Sequence, residues 1–212
     1  MEVKLVSITH PSINNIETPE DLIAYCARVS NPSNQLNTET APKLLGYLIK
    51  HKHWSPFEMV DMCLEIKTSR AIAAQILRHR SFSFQEFSQR YSNATNFEDI
   101  EWRKQGKTNR QVGDEVYNLP NDYNNAIDSY LYTAELLYKS LIDDGVAKEC
   151  ARMILPLTTE TTMYMKGSIR SWIHYIDLRS KEDTQKEHRD IALKCRDIFV
   201  NNFSNTSKAL KW

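Results

Sequence analysis

The stretch RHRSFSFQEFSQRYS, residues 78–92, directly follows an apolar segment at residues 72–77. If the helix that these apolar residues predict continues, Arg80 falls three and four residues after Leu77 and Ile76 and extends the apolar stripe. A guanidinium in line with core positions needs an anionic partner, because burying it unpaired costs several kcal/mol. That partner is either an internal carboxylate or a bound anion, and the sequence leaves both alternatives open.

The polar residues around this stretch have the composition of an anion pocket. A helix predicted over residues 69–80 places three side chains on one face, because they are three and four residues apart: Gln75, Arg78 and His79. If residues 82–91 are extended, three more share one side of the strand: Glu86, Ser88 and Arg90. Guanidinium forks with an amide and a hydroxyl are typical of phosphate or nucleotide sites. The alternative is an internal Arg–Glu network that holds a turn.

Composition indicates an ordinary globular protein. The 212 residues suit one domain, and 41% hydrophobic with 25% charged residues is enough for a normal core. Lys plus Arg equals Asp plus Glu at 27 each, so a broadly basic face for nucleic acid is not expected. Four scattered cysteines predict free thiols in a reducing compartment. Residues 1–10 lack the apolar core of a signal peptide and no apolar run reaches ~20 residues, so we expect a soluble cytoplasmic protein.

Hydrophobic periodicity predicts helices with a few strands in an order that does not strictly alternate, and therefore an α+β fold. Strands are predicted over residues 3–7 and 57–68. Helices are predicted over residues 18–29, 41–51, 69–80 and from 122 to about 141, then up to Met153 and around residues 169–176. A capping box at Ser180 and Asp183 predicts the start of a last helix, with His188 on its inner face. Residues 92–118 are expected to form a long irregular loop or lid, and residues 201–212 a polar tail.

Three further features have both a functional and a structural interpretation. The helix around Trp172 carries Arg170, His174 and Asp177 opposite its apolar stripe, where they form a solvated face or line a site. Arg152 stands in an apolar context, which is unusual for a surface arginine. His51 and His53 are two residues apart without a nearby third ligand, so no metal site is predicted. The glycine-rich phosphate loops and the G-x-S-x-G motif are absent from the sequence.

The same residues resemble the flavin-dependent thymidylate synthases. The triplet Arg-His-Arg at residues 78–80, seven residues and then Ser88 is similar to the signature of that family, and Glu86, Arg90 and Tyr91 fit its fuller pattern. Other segments resemble the family in the same order: residues 53–58, 102–105, 109–111, 151–156, 170 and 177–179. The likeness spans roughly residues 50–188. Three positions depart from the family pattern: Gln85, His174 and Asp177.

The resemblance implies a single domain over residues 1–212 with a curved, mostly antiparallel sheet flanked by helices. It also implies a homotetramer whose sites form between subunits. The implied reaction converts dUMP to dTMP, with the carbon from methylenetetrahydrofolate and hydride from FAD that NADPH has reduced. No metal, nucleic acid or membrane is implied as a partner.

Site residues are likewise implied only by the resemblance. Eight would contact dUMP: Gln75, Arg78, Glu86, Ser88, Gln89, Arg90, Arg152 and Arg179. Nine would contact FAD: Ser55, Arg78, His79, Arg80, Glu86, Ser168, Ile169, Arg170 and His174. His53 would lie near the flavin and the folate. Arg179 would stabilise negative charge as uracil N3 ionises, so no enzyme nucleophile is required.

Two rival hypotheses remain at this point. The first is a nucleotide- or RNA-binding module that uses the arginines without chemistry, whose binding would weaken steeply with salt and ignore flavin. The second is a family member that binds dUMP but has lost turnover. Flavin reoxidation with and without folate distinguishes these alternatives.

Overall fold

The computed structural model describes residues 1–91, 95–107, 109 and 112–212, with only the backbone described at Asp114. Its six strands are β1 (Glu2–Ile8), β2 (Asp61–Ser69), β3 (Ser83–Glu86), β4 (Arg103–Gln105), β5 (Gly113–Val116) and β6 (Glu160–Ser168). The helices in the described residues are α1 (Pro19–Ala27), α2 (Ala41–Lys50), α3 (Arg70–Ile76), α4 (Asn121–Asp143), α5 (Lys148–Ala151), α6 (Ile169–Arg179), α7 (Lys186–Asn202) and α8 (Ser204–Leu210). Short 3-10 turns occupy Pro32–Asn34, Ser55–Glu58 and Arg152–Ile154.

The main sheet has four antiparallel strands in the order β1-β2-β6-β3. Strand β6 pairs with β2 along its whole length, from Asp61 opposite Ser168 to Ser69 opposite Glu160. Its other edge pairs with β3, which places Glu86 opposite Met163. The sheet confirms the predicted α+β fold. The sequence analysis predicts no strand at β6, although alternate residues such as Met163 and Met165 are buried while Tyr164 is exposed.

The core lies between one face of this sheet and helices α3, α6 and α7. Trp172 of α6 is fully buried, and its indole N–H donates to the Met62 carbonyl of β2 at 2.9 Å. Phe82 packs edge-on against the Trp172 ring, with centroids 4.9 Å apart. The Phe82 ring also lies over Gly167 of β6, where an added Cβ would come within 2.5 Å of it. A glycine is therefore required at position 167 for the Phe82 ring to pack directly against β6.

Helix boundaries confirm some predictions and correct others. Thr18 caps α1 as expected, and its side chain and that of Asp21 form a capping box. The capping box predicted at Ser180 is wrong, because Ser180 instead ends α6, with its N–H bonded to the Ile176 carbonyl. Helix α7 begins at Lys186, after a turn, with no side-chain cap. The strand predicted from residue 57 also begins later, at Asp61, because a 3-10 turn precedes it.

The segment predicted as an irregular loop at residues 92–118 contains the β4–β5 hairpin, so that prediction is partly wrong. Residues 92–94, 108, 110 and 111 lie outside the described residues, and the lid function stays a prediction. Helix α4 confirms the long amphipathic helix predicted from residue 122, and Gly145 follows it with a φ of 82°. No helix among the described residues is both long enough and apolar enough to cross a membrane.

The polar tail predicted from residue 201 is wrong, because the chain forms α8 there and packs it against α2. Phe203 is fully buried between α7 and α8. The Glu20 carboxylate, only 6% exposed, accepts four hydrogen bonds at the start of α8. The donors are the main-chain N–H groups of Asn205 and Thr206 at 3.2 and 2.6 Å and their side chains at 3.0 and 2.7 Å. One carboxylate from α1 therefore satisfies the otherwise unpaired first turn of α8.

Replacing Glu20 with alanine is expected to lower the free energy of unfolding by about 2–4 kcal/mol, because buried donors lose a charged acceptor. Urea denaturation at one fixed protein concentration measures the change. Glu17→Ala removes an exposed carboxylate three residues earlier and is the matched control, with an expected change below about 0.5 kcal/mol. Equal unfolding midpoints for the two variants would contradict this account of α8.

Candidate functional site

Helix α3 ends at Ile76, four residues earlier than the sequence predicts. Arg80 is exposed, so the prediction that it continues the apolar stripe is wrong. The prediction that Gln75, Arg78 and His79 share one helical face is also wrong, because the chain leaves helical geometry after α3. Arg78 is exposed, whereas Gln75 and His79 are half-buried and bonded to α7 and α6, respectively.

Arg179, in the last turn of α6, is held by a histidine and not by an acid. Its Nε–H donates to Nε2 of His79 at 3.0 Å, so this imidazole nitrogen carries no proton. The His79 ring packs edge-on against Tyr175 at 4.9 Å. Burial, with the charge of Arg179 acting in the same direction, lowers the pKa of His79 to about 4. Arg179 is therefore oriented by a neutral acceptor and keeps its full positive charge.

Asp177, one of the departures from the family pattern, does not neutralise this guanidinium. Its carboxylate lies 3.9 Å from the Lys181 ammonium, one helical turn further along. Within the described residues Arg179 forms no ion pair. The cation at the end of α6 is therefore available to an external anion.

Glu86, at the end of β3, belongs to an internal network. Its Oε1 accepts from Nη1 of Arg70 at 3.2 Å and from the Thr161 hydroxyl at 2.9 Å. Arg70 also donates from Nη2 to the Phe87 carbonyl at 3.2 Å. The sequence analysis missed Arg70, whose only signal is its position at the start of α3. The alternative of an internal Arg–Glu network is therefore confirmed for Glu86, with a different arginine from those predicted.

Beyond β3 the chain is no longer a strand, so Glu86, Ser88 and Arg90 do not share a strand side. The Ser88 hydroxyl accepts from the main-chain N–H of Arg90 at 3.3 Å. Gln89 is 3% exposed, and the Arg90 side chain is exposed. Local turn geometry, which side-chain spacing does not reveal, decides how this segment presents its polar groups.

Four of the residues predicted to contact FAD lie in α6 or directly before it: Ser168, Ile169, Arg170 and His174. Ser168 caps α6 by accepting from the Ser171 N–H at 3.3 Å. The Ile169 side chain is fully buried, so any ligand contact from it must come from the main chain. Arg170 forms an ion pair with Glu58 from the 3-10 turn that Ser55 begins.

A cavity of about 630 Å³ opens beside this region. His174 lines it and packs edge-on against Trp54, with ring centroids 5.1 Å apart. His53, the residue before Trp54, is exposed, and its ring centroid lies 6.1 Å from that of His51. Among the described residues, no three His, Cys, Asp or Glu side chains come together as a metal site would require. Gln85 is exposed on β3 opposite Tyr164 of β6.

Several predicted ligand-binding arginines lack an internal acid. No ion pair to a described residue is formed by Arg78, Arg80, Arg90, Arg152 or Arg179. Arg152 is half-buried, and its Nε has no hydrogen-bond partner in the described part of the chain although water cannot reach it. A buried donor without an acceptor carries a desolvation cost. This donor set fits the phosphate groups of a nucleotide and of a dinucleotide cofactor.

Three of the four cysteine thiols offer no activated nucleophile. All four are free, and Cys195 is fully buried, which raises the pKa of its thiol well above the usual range. Burial also raises the pKa of Cys26 and, against the nearby charge of Lys166, that of Cys63. Chemistry at this site therefore has to proceed without a low-pKa thiolate at these three positions.

Known proteins are similar to this chain in sequence and in fold. The family described as thymidylate synthase complementing protein matches residues 12–203. Over the full length of both chains, the sequence is 51% identical to the probable flavin-dependent thymidylate synthase of Paramecium bursaria Chlorella virus 1 and 52% identical to that of Synechocystis sp.. A UMP/dUMP methylase, PolB from Streptomyces cacaoi bound with 5-Br dUMP, has a TM-score of 0.79 over 99% of this chain and 94% of its own. At 23% sequence identity, that likeness shows the fold.

The family match covers most of the chain and places it in the class of thymidylate synthase complementing proteins. The full-length identities narrow this assignment further. The chain belongs to the flavin-dependent thymidylate synthase family.

We expect His79 to stay neutral down to about pH 4, because burial and Arg179 both disfavour its charged form. In the unfolded chain this histidine takes up its proton near pH 6.5. Its neutral form therefore contributes to the free energy of unfolding above pH 6.5, and this contribution is lost as the pH falls from 6.5 towards 4. Histidine NMR signals followed against pH measure the titration. Arg179→Ala should raise the pKa of His79, whereas Arg189→Ala on α7 should leave it unchanged. Titration of His79 near pH 6.5 in the unmodified protein would contradict this geometry.

Proposed function

We propose that this chain methylates dUMP to dTMP, with methylenetetrahydrofolate as carbon donor and FAD, reduced by NADPH, as the source of hydride. The observation that supports this most strongly is the pair formed by His79 and Arg179, which presents an unneutralised guanidinium inside a member of this family. FAD, when bound, supplies the hydride chemistry that no side chain can supply. The four free thiols fit a reducing compartment, which supports a cytoplasmic location.

The chemistry assigned to Arg179 is electrostatic. Ionisation of uracil N3 places negative charge on the pyrimidine and raises electron density at C5, where the new carbon must attach. A fixed cation in a site shielded from water stabilises such charge by a few kcal/mol without reorganising during the reaction. Because His79 uses only Nε–H, the two terminal NH₂ groups of Arg179 stay available for the pyrimidine oxygens.

Binding of the nucleotide phosphate is assigned to Arg90 and Arg152. The phosphate is nearly a dianion, and two guanidiniums without acid partners match its charge and geometry. Arg152 is half-buried and forms no ion pair with a described residue, which leaves its charge for the phosphate. Ser88 and Gln89 are assigned to the same nucleotide as hydrogen-bonding groups, and Glu86 is fixed beside them by Arg70.

Flavin contacts are assigned to two regions that the sheet keeps apart from the phosphate arginines. Arg78, His79 and Arg80 follow α3, while Ser168, Arg170 and His174 lie at the start of α6. Cations in both regions suit the cofactor's pyrophosphate. His53 is assigned to the flavin and folate, next to the Trp54 that lines the cavity.

We further propose that the functional unit is a homotetramer with each site built from several subunits. Within one chain the dUMP residues fall into two groups. Gln75 and Arg179 bond to α7 and to His79, whereas Glu86 and Ser88 bond to Arg70, Thr161 and Arg90. Joining the group around Arg179 of one subunit to the group around Glu86 of another, together with Arg152 of that second subunit, would complete a pocket.

The direct test of the function begins with the absorbance spectrum of the purified protein, since bound oxidised flavin is yellow. Assays of dUMP-dependent NADPH oxidation and of dTMP formation follow. A colourless protein that binds neither FAD nor dUMP would refute the proposal. Binding of both without dTMP formation would identify a member that has lost turnover.

Arg179→Ala is expected to lower kcat for dTMP formation by about 10²–10³-fold, because a preorganised charge at the ionising pyrimidine is lost. Bound FAD and oligomeric state should not change, since no ion pair to a described residue is removed. Arg189→Ala, whose guanidinium donates to the Glu182 carbonyl at 3.5 Å, is the matched control. An Arg179→Ala enzyme with unmodified kcat would remove this residue from the mechanism.

A mixing experiment tests whether sites are shared between subunits. Arg152→Ala and Arg179→Ala proteins should each be nearly inactive, because one lacks a phosphate contact and the other the activating charge. After dissociation and joint reassembly, some sites would take both intact arginines from different subunits, and activity should return. Activity that stays at the level of the separate variants would show that both arginines of a site come from one chain.

A further inference from the structure

A buried chain of hydrogen bonds runs from α6 through α7 to the predicted dUMP residue of α3. His188 of α7 is fully buried, with Nε2 3.1 Å from the Tyr175 hydroxyl and Nδ1 3.3 Å from Oε1 of Gln75. The Gln75 Nε2 donates to Oε1 of Gln185 at 2.7 Å. Gln185 in turn donates from Nε2 to Oε2 of Glu187 at 2.9 Å. Side chains from three helices and one turn thus form a single connected path.

The path ends on an ion pair with the β4–β5 hairpin. Arg103 of β4 forms an ion pair with the Glu187 carboxylate. Burial opposes ionisation of Glu187, but hydrogen bonds from Arg103 and Gln185 outweigh it, and the pKa of this carboxyl is lowered. Glu187 is therefore an ionised carboxylate, which only accepts hydrogen bonds.

Because Glu187 can only accept, the donor and the acceptor of every other hydrogen bond in the path are determined. Gln185 must donate to Glu187, so its oxygen faces Gln75 and accepts from the Gln75 amide. The Gln75 oxygen is then the group facing His188, and Nδ1 of His188 must carry the proton. Nε2 is left as an acceptor for the Tyr175 hydroxyl. A half-buried carboxylate of α7 therefore determines the tautomer of a buried histidine.

The electrostatic surroundings of His188 agree with a neutral ring. Burial lowers its pKa to about 3, and the charge of Arg179 and the neighbouring His79 act in the same direction. The His79 and His188 rings are 6.0 Å apart, and Tyr175 lies against both. Since Tyr175 is also buried and its pKa is raised well above the usual range, it stays a hydroxyl donor.

We propose that His188 is a positioning residue for dUMP: as the neutral Nδ1–H tautomer it holds the Gln75 carboxamide with its oxygen inward. One Nε2–H of Gln75 is used by Gln185, and the second is left to donate to a ligand. The ligand atom opposite Gln75 must then be an acceptor, a carbonyl or phosphoryl oxygen and not an amino group. This inference rests on the proposed function, in which Gln75 contacts dUMP.

The tautomer is measured without any variant. Histidine-selective ¹⁵N NMR of the FAD-loaded protein separates protonated from bare ring nitrogens. We expect His188 to carry its proton on Nδ1 and to keep it there across neutral pH. A proton on Nε2 would overturn the proposal, because the Gln75 amide would then have to be reversed.

The consequence for the ligand is tested with two substitutions at one position. His188→Leu removes the donor to Gln75 and should raise the KM and the Kd for dUMP about 10-fold, while kcat and bound FAD stay within about two-fold. His188→Asn keeps an N–H donor near the position of Nδ1 and should restore most of the affinity. His10→Leu replaces an exposed histidine and is the matched control, with no change expected.

Two results would reject the positioning role. Unchanged dUMP affinity in His188→Leu would reject it alone, with the proposed function intact. A parallel fall of kcat, dUMP affinity and bound FAD, not restored in His188→Asn, would show that His188 serves only the packing of the core. If the unmodified protein binds no dUMP, the proposed function and the positioning role fall together, which distinguishes that failure from the other two.

Discussion

The pairing of β6 on both edges is the constraint on which the rest of the structure depends. At one end β6 brings Thr161 to Glu86 of β3, and at the other it passes directly into α6 at Ser168. Helix α6 then packs Trp172 into the core and delivers Arg179 to His79. The residues that bond to Glu86 and those that hold Arg179 are therefore placed by one strand and its helix, and a shift of register along β6 would move both.

Carboxylates pair with two arginines that build the fold and leave two of the arginines assigned to dUMP without an acidic partner. Arg70 and Arg103 have acidic partners within the described residues, and each ties a loop or hairpin to a helix or strand. Arg152 and Arg179 have none, although both are partly buried. A protein with zero formal net charge can thus concentrate positive charge at one site by placing its acids elsewhere. A neutral histidine in place of an acid at Arg179 keeps that charge undiminished.

The sequence predicted the fold class, the long helix α4 and the inward position of His188, because hydrophobic periodicity is strong there. It missed β6, since its alternating pattern is carried by threonine and methionine and not by valine or isoleucine. It also extended α3 past Ile76, because periodicity cannot show where packing ends a helix. The chemistry of the site is predicted by motif resemblance alone. The residues that bond to Glu86 and Gln75, namely Arg70 and Gln185, are determined by tertiary contacts that residue spacing does not encode.

We propose that arginines without internal acid partners bind a pyrimidine nucleotide against a flavin. A crystal structure of the protein grown with FAD and dUMP tests it most directly. We expect the dUMP phosphate between Arg90 and Arg152. We expect the pyrimidine ring against Arg179, with the Arg179 Nε still bonded to His79. Guanidiniums turned onto carboxylates of their own chain, with no nucleotide beside them, would contradict it.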